Sequence, residues 1–156
     1  FPNYQFVIAG APSLGQSFYE TFTWGKEVQV VSNQTYLLLH LAEAALVTSG
    51  TATLETALFG VPQVVCYKGN WISYWIARRL VDVPFISLVN LVSEKEVVKE
   101  LIQGELNTKN LQLELQKILP DGSSHLKVKK EYEELYDKLG REGASDEAAR
   151  LIVEMV

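Results

Sequence analysis

The chain has 156 residues, 47% of them apolar, which at the usual ~100–200 residues per domain is one globular domain with a core of its own and no room for a second. A formal charge of -5 argues against nucleic acid as a partner, because binding a polyphosphate needs a clustered excess of Lys and Arg. Cys66 is the only cysteine; an internal disulfide and a cysteine-rich metal site are excluded, and a reducing compartment, by default the cytoplasm, is expected.

No run of about 18 uncharged apolar residues occurs, so no spanning helix is expected and any membrane contact is from outside. The sequence opens on Phe1-Pro2 without an initiator Met, a basic leader or a signal-like core. An excised piece of a longer protein is expected.

Hydropathy period and punctuation predict strands and helices in alternation. Tyr4 to Ala9 is a β-type run ended by Gly10-Ala11-Pro12, and Val28 to Val31 is the next. Thr35 to Ala42 has helical spacing at Leu37, Leu38 and Leu41. Ala45 to Thr48 is a third strand, and Ser49-Gly50-Thr51 leads from it into a helix over Ala52 to Phe59, closed by Gly60 and Pro62. Gln63 to Tyr67 follows, its continuous Val64-Val65-Cys66 typical of a parallel strand buried on both faces. Trp71 to Val81 is a predicted helix and Phe85 to Leu88, after Pro84, a short strand. Helices are then predicted over Lys95 to Ile102, over Thr108 to Leu119 with Asn107 or Thr108 as cap, over His125 to Leu139, and over Ser145 to Val156 with an acidic start. The pattern is an α/β fold, a doubly wound, mainly parallel sheet with C-terminal helices packed around it. Such sheets bind ligands beyond the carboxyl ends of their strands.

Ser49-Gly50-Thr51-Ala52-Thr53-Leu54-Glu55 carries the most chemistry, because it joins the end of a strand directly to the start of a helix. The first helical turn leaves backbone N–H groups unpaired and partly positive, so Ser49, Gly50, Thr51, Ala52 and Thr53 can receive a diphosphate, with Gly50 allowing close approach. Glu55 lies four residues after Thr51 on the same face, where its carboxylate can accept both hydroxyls of a ribose. The alternative is a plain strand-to-helix turn, with the threonines as caps and Glu55 complementing the helix dipole.

Ser49 to Glu55, then Gly60-Val61-Pro62 with Val64-Val65 and Tyr67-Lys68, then Tyr74 to Val81, then Ser87-Leu88-Val89-Asn90-Leu91, form an ordered set covering nearly the whole chain. This set resembles the C-terminal half of the lipid A disaccharide synthases, and Val97 to Gln103 and the last two helices are in keeping. The resemblance implies one Rossmann-like half of a GT-B glycosyltransferase over residues 1–156, with the N-terminal domain and the first strand of this domain lying before Phe1. It implies UDP-2,3-diacylglucosamine as donor, 2,3-diacylglucosamine 1-phosphate (lipid X) as acceptor, and a β-1,6-linked disaccharide with release of UDP. The transfer is inverting, metal-independent and without a cofactor. Ser49 to Thr53 match the family's donor-phosphate loop, Glu55 the carboxylate at the ribose, and Asn90 the asparagine of its Leu-Pro-Asn-Leu pattern. Val89 stands here in place of the proline, so a different local turn is expected. The general base belongs to the N-terminal domain, leaving Asn90 as the one catalytic candidate and the isolated chain inactive. The resemblance also allows a homodimer through the last helix and peripheral contact with the inner membrane.

Trp71, Tyr74 and Trp75 with Arg78 and Arg79 make either an amphipathic surface for acyl chains and lipid headgroups or a core face with solvated arginines. Lys68 is either a phosphate partner or an exposed strand-end lysine. His40 and His125 have no metal-ligand spacing, Cys66 reads as an inert core thiol, and nucleotide-triphosphatase, dinucleotide and serine-hydrolase motifs are absent. The rivals are a UDP-N-acetylhexosamine 2-epimerase-like domain and a non-catalytic module binding a phosphorylated ligand.

Overall fold

The computed structural model describes residues 1–23, 25–26, 28–48, 50–69, 84–140 and 144–154. They form two compact units, 1–42 and 43–156.

In the first unit, β1 (Val7–Gly10) and β2 (Gln29–Ser32) pair in parallel, Val7 opposite Gln29 and Gly10 opposite Ser32. The crossover carries α1 (Gln16–Thr23), and α2 (Thr35–Leu41) follows β2. Helix α1 has no counterpart in the sequence reading, because its aromatic and Thr-rich composition is poor in strong helix formers. Its Phe18 and Phe22 rings meet edge to face at 5.3 Å, a helical i, i+4 pair, and the Tyr19 hydroxyl accepts the Ala11 N–H at 2.7 Å. The end of β1 is thereby tied to α1.

In the second unit, β3 (Ala45–Thr48), β4 (Gln63–Tyr67) and β5 (Lys99–Ile102) form a parallel sheet in that order. Helix α3 (Thr51–Leu58) joins β3 to β4 and packs on both. Its C-terminal end turns at Gly60, where φ is +70°, the left-handed value glycine adopts freely. Helix α4 (Leu88–Ser93) precedes β5, and α5 (Thr108–Ile118), α6 (His125–Leu139) and α7 (Ala144–Glu154) complete the chain. Val64 and Val65 at the centre of β4 are fully buried, and Ala57, Val89, Val98, Leu101, Leu115, Ile118, Val128 and Leu135 pack around them. The continuous apolar run of β4 thus has the two-sided burial its sequence predicts. Parallel strands alternating with helices, followed by helices alone, make the chain Rossmann-like.

Two expectations fail between Phe85 and Ile102. The predicted strand over Phe85 to Leu88 is the approach to α4: Ser87 has extended backbone (φ -86°, ψ 143°), but as an N-cap whose hydroxyl accepts the Asn90 N–H. The predicted helix over Lys95 to Ile102 is a loop and then β5, with Lys99 opposite Val64 and Ile102 opposite Tyr67. Glu94 in the left-handed conformation ends α4, and Val97 and Val98 are buried against the core. Its Lys- and Glu-rich composition made this stretch look helical, whereas pairing with β4 decides the outcome. The predicted helix over Trp71 to Val81 lies outside the described residues.

Candidate functional site

The carboxyl ends of β3, β4 and β5 form one edge, and the loop that leaves β3 carries Gly50. Gly50 stands at φ 147°, ψ -165° as the N-cap of α3, a backbone region essentially restricted to glycine. A Cβ there would meet nothing within 4 Å, so the position demands glycine for its dihedrals and leaves open space over the start of the helix. Thr51 and Ala52 are exposed in the first turn, where N–H groups have no carbonyl within the helix to bond. Thr53 is fully buried, and its hydroxyl donates to the Gly50 carbonyl at 2.8 Å, holding the turn closed from beneath. Glu55 is half-buried, one turn further on. Ser49 lies outside the described residues.

Asn90 is not brought to this edge. Its side chain is fully buried; Oδ1 accepts the N–H groups of Val97 (2.8 Å) and Val98 (3.0 Å), and Nδ2 donates to the Val98 carbonyl and Glu100 Oε1, both at 2.9 Å. These partners stand at the entry to β5, the opposite end of the sheet from Gly50. All four hydrogen-bonding positions of the amide are filled from within the chain. Val89 occupies the first turn of α4, fully buried. The N–H of a residue in that turn has no helical acceptor, so a proline would be tolerated there as well.

The sequence reading missed Glu100, a carboxylate only 7% exposed. Its Oε1 accepts from Ser87 N (2.9 Å), Ser87 Oγ (2.7 Å) and Asn90 Nδ2, and its Oε2 from Ile86 N (2.9 Å). The Ser87-x-x-Asn90 capping spacing was the one local signal for this cluster. Gln63 was also unforeseen: fully buried at the entry of β4, it donates to the Thr53 carbonyl (2.9 Å) and the Tyr132 hydroxyl (3.1 Å). Burial pushes the Tyr132 phenol well above its ordinary range.

At the carboxyl edge, Gln103 has a left-handed backbone (φ 51°), and its Nε2 donates to the Gly69 carbonyl at 3.2 Å. Cys66 is half-buried, and burial raises its thiol above the ordinary value, which disfavours the reactive thiolate. His40 is exposed on α2, while His125 is buried with Nδ1 2.8 Å from the Ile118 carbonyl. Among the described residues no group of His, Cys, Asp and Glu is placed to hold a metal ion. A cavity of about 490 Å³ lies between the end of α3 and α6, lined by Leu58, Phe59, Tyr132 and Tyr136 among others, and one of about 310 Å³ lies by the entries of β4 and β5. Neither reaches the Gly50 loop. Trp71, Tyr74, Trp75, Arg78 and Arg79 fall outside the described residues.

A parallel sheet whose carboxyl edge opens, through an obligate glycine, onto the start of a helix defines a Rossmann-like α/β protein with a candidate anion-binding edge. The family model described as lipid-A-disaccharide synthetase matches residues 9–155, and the chain belongs to that family of glycosyltransferases of lipid A biosynthesis. The lipid-A-disaccharide synthase of Syntrophus aciditrophicus (strain SB) is 38% identical over 161 residues, covering 97% of this chain and 40% of that protein. That of Anaeromyxobacter dehalogenans (strain 2CP-1) is 35% identical over 146 residues (92% and 38%), and that of Geobacter sulfurreducens 32% identical over 158 (100% and 41%). The chain therefore spans about 40% of the length of the curated relatives it matches.

Proposed function

We propose that the chain is the C-terminal, donor-binding half of a two-domain GT-B enzyme that joins UDP-2,3-diacylglucosamine to 2,3-diacylglucosamine 1-phosphate and releases UDP. The observation that carries this reading is Gly50, held at dihedrals only glycine adopts, with open space above it, at the start of α3. The donor diphosphate sits on the N–H groups that open the first turn of the Ser49 to Thr53 segment, before Thr53, whose own N–H is bonded to the Gly50 carbonyl at 3.1 Å. Those donors and the positive end of the helix stabilise the charge that develops on UDP as the glycosidic bond breaks. Glu55, further along the same helix, accepts the ribose hydroxyls. Asn90 acts in this reading by holding the α4 segment against β5, through bonds that leave its amide no free position.

The general base that takes the acceptor's proton stands on the other half. The purified 156-residue chain is accordingly expected to form no disaccharide, measured as turnover of labelled donor; turnover would overturn the two-domain reading. Family membership sets aside the epimerase-like alternative. A non-catalytic module would bind a phosphorylated ligand yet form no disaccharide even when joined to its other half.

Among the described residues no helix is long and apolar enough to cross a membrane. Two acylated substrates place the reaction at a bilayer surface, so the whole enzyme works as a peripheral protein of the inner membrane. Leu151, Ile152 and Val153 are exposed on α7, and this helix crosses to the other half of the enzyme or to a second subunit of a homodimer.

The decisive measurement is a paired one on Glu55→Ala in the two-domain enzyme: UDP titration and thermal unfolding. Loss of charge-assisted bonds worth roughly 1.5–3 kcal/mol each predicts at least about tenfold weaker UDP binding. Unchanged UDP affinity with a lowered melting temperature would return Glu55 to a helix-dipole role, worth about 0.3–1 kcal/mol.

A further inference from the structure

We infer that Lys68 is a phosphate-binding residue of the donor site, held in place by a clamp of Tyr67, Gly69 and Gln103; the inference rests on the donor-site reading above. The register supplies the placement. Thr48 pairs with Cys66 at the end of the β3–β4 ladder, so the loops that carry Gly50 and Lys68, each two residues further on, start from neighbouring strand ends about 4.8 Å apart. A lysine side chain is longer than that spacing. Lys68 is exposed, and among the described residues of the three carboxyl-edge loops (48, 50–53, 67–69 and 102–105) it is the only cation. In a chain of net charge -5, a local cation adds to what a helix dipole offers a diphosphate, and an ammonium suits phosphate as a point charge.

The backbone on either side of Lys68 is fixed. A Cβ on Gly69 would come within 2.8 Å of the Tyr67 hydroxyl, so the Tyr67 ring lies over Gly69 and would have to swing aside for any larger residue there. From the other side Gln103, a non-glycine residue in the left-handed region, donates its amide to the Gly69 carbonyl. Left-handed backbone at a non-glycine residue persists only where its surroundings impose it. Here it brings the end of β5 across to the loop that leaves β4. Lys68 itself is exposed, on the loop that leaves β4 beside the loop that carries Gly50.

The test uses the two-domain enzyme, titrated calorimetrically with UDP and with uridine. Lys68→Met is expected to weaken UDP binding about tenfold or more, to leave uridine binding unchanged and to flatten the salt dependence of UDP affinity. Gln103→Ala is expected to weaken UDP binding severalfold in the presence of Lys68 and not in the Lys68→Met background, a coupling that general destabilisation would not produce. Equal UDP affinity in wild type and Lys68→Met overturns the inference, as does a matching loss for uridine. An equal cost of Gln103→Ala in both backgrounds overturns the clamp. Wild-type enzyme that does not bind UDP overturns the donor-site reading, and Lys68 with it.

Discussion

Replacing Glu100 with alanine is expected to lower the stability of the chain by about 3–5 kcal/mol, read as a shift of the urea midpoint. The buried carboxylate collects four donors, the N–H groups of Ile86 and Ser87, the Ser87 hydroxyl and the Asn90 amide. Its charge is balanced by convergent dipoles, a role that backbone N–H groups fill well. Alanine removes the acceptor from the buried Ser87 and Asn90 donors, at about 1–3 kcal/mol for each group left unsatisfied and less than additive in a shared network. Glu100→Gln has the same shape and can keep an oxygen toward the three donors that Oε1 serves, but turns an NH2 toward the Ile86 N–H, so it should recover only part of the loss. A cost below about 1 kcal/mol for the alanine variant would mean that the 84–90 segment relaxes to find other acceptors.

Gly122→Ala is expected to cost about 3 kcal/mol or more, measured by the same midpoint shift. The connection from α5 to α6 folds back on the last turn of α5: Gly122 N donates to the Leu119 carbonyl at 2.7 Å, Ser124 N to the Lys117 carbonyl at 2.9 Å, and the His125 ring closes on the Ile118 carbonyl. The end of α5 is capped in this way by the chain that follows it. A Cβ on Gly122 would overlap the Lys117 carbonyl itself. Backbone is the obstacle, so no side chain can swing aside, and relief requires opening the turn. Gly50 is the converse case, with ample room for a Cβ and dihedrals that forbid one. An alanine variant that unfolds like wild type would show that the turn opens at little cost.

How much of this was legible depended on the range of the interactions involved. The bounds of β3, β4 and α6 follow directly from apolar runs and from Gly and Pro punctuation, and Asn107 caps α5 by accepting the Asn110 N–H at 3.0 Å as its spacing suggests. The stretch from Phe85 to Ile102 was misread because its structure is set by bonds seven to fourteen residues apart, from Asn90 to Val97 and from Ile86 and Ser87 to Glu100. No local periodicity encodes those bonds. The candidate site divides in the same way: Gly50, Thr51 and Glu55 stand out as a strand-to-helix motif, while the Gln103 to Gly69 contact spans 34 residues. The burial of Asn90 was likewise invisible, since an asparagine in a short motif looks the same whether it serves a ligand or the fold.

The cluster around Glu100 and Asn90 also governs how this part of the chain meets solvent hydrogen. The amide hydrogens of Ile86, Ser87, Asn90, Val97 and Val98 lie before, at the start of and after a six-residue helix, and each is bonded to a side-chain oxygen. Backbone outside regular ladders ordinarily exchanges its amide hydrogens with deuterium quickly, through small local openings. Here the four acceptor atoms belong to three side chains that bond to one another, so releasing any one of these amides disturbs a shared network. In deuterium exchange these irregular stretches are expected to behave as one cooperative unit, with the slow, collective kinetics of a sheet strand.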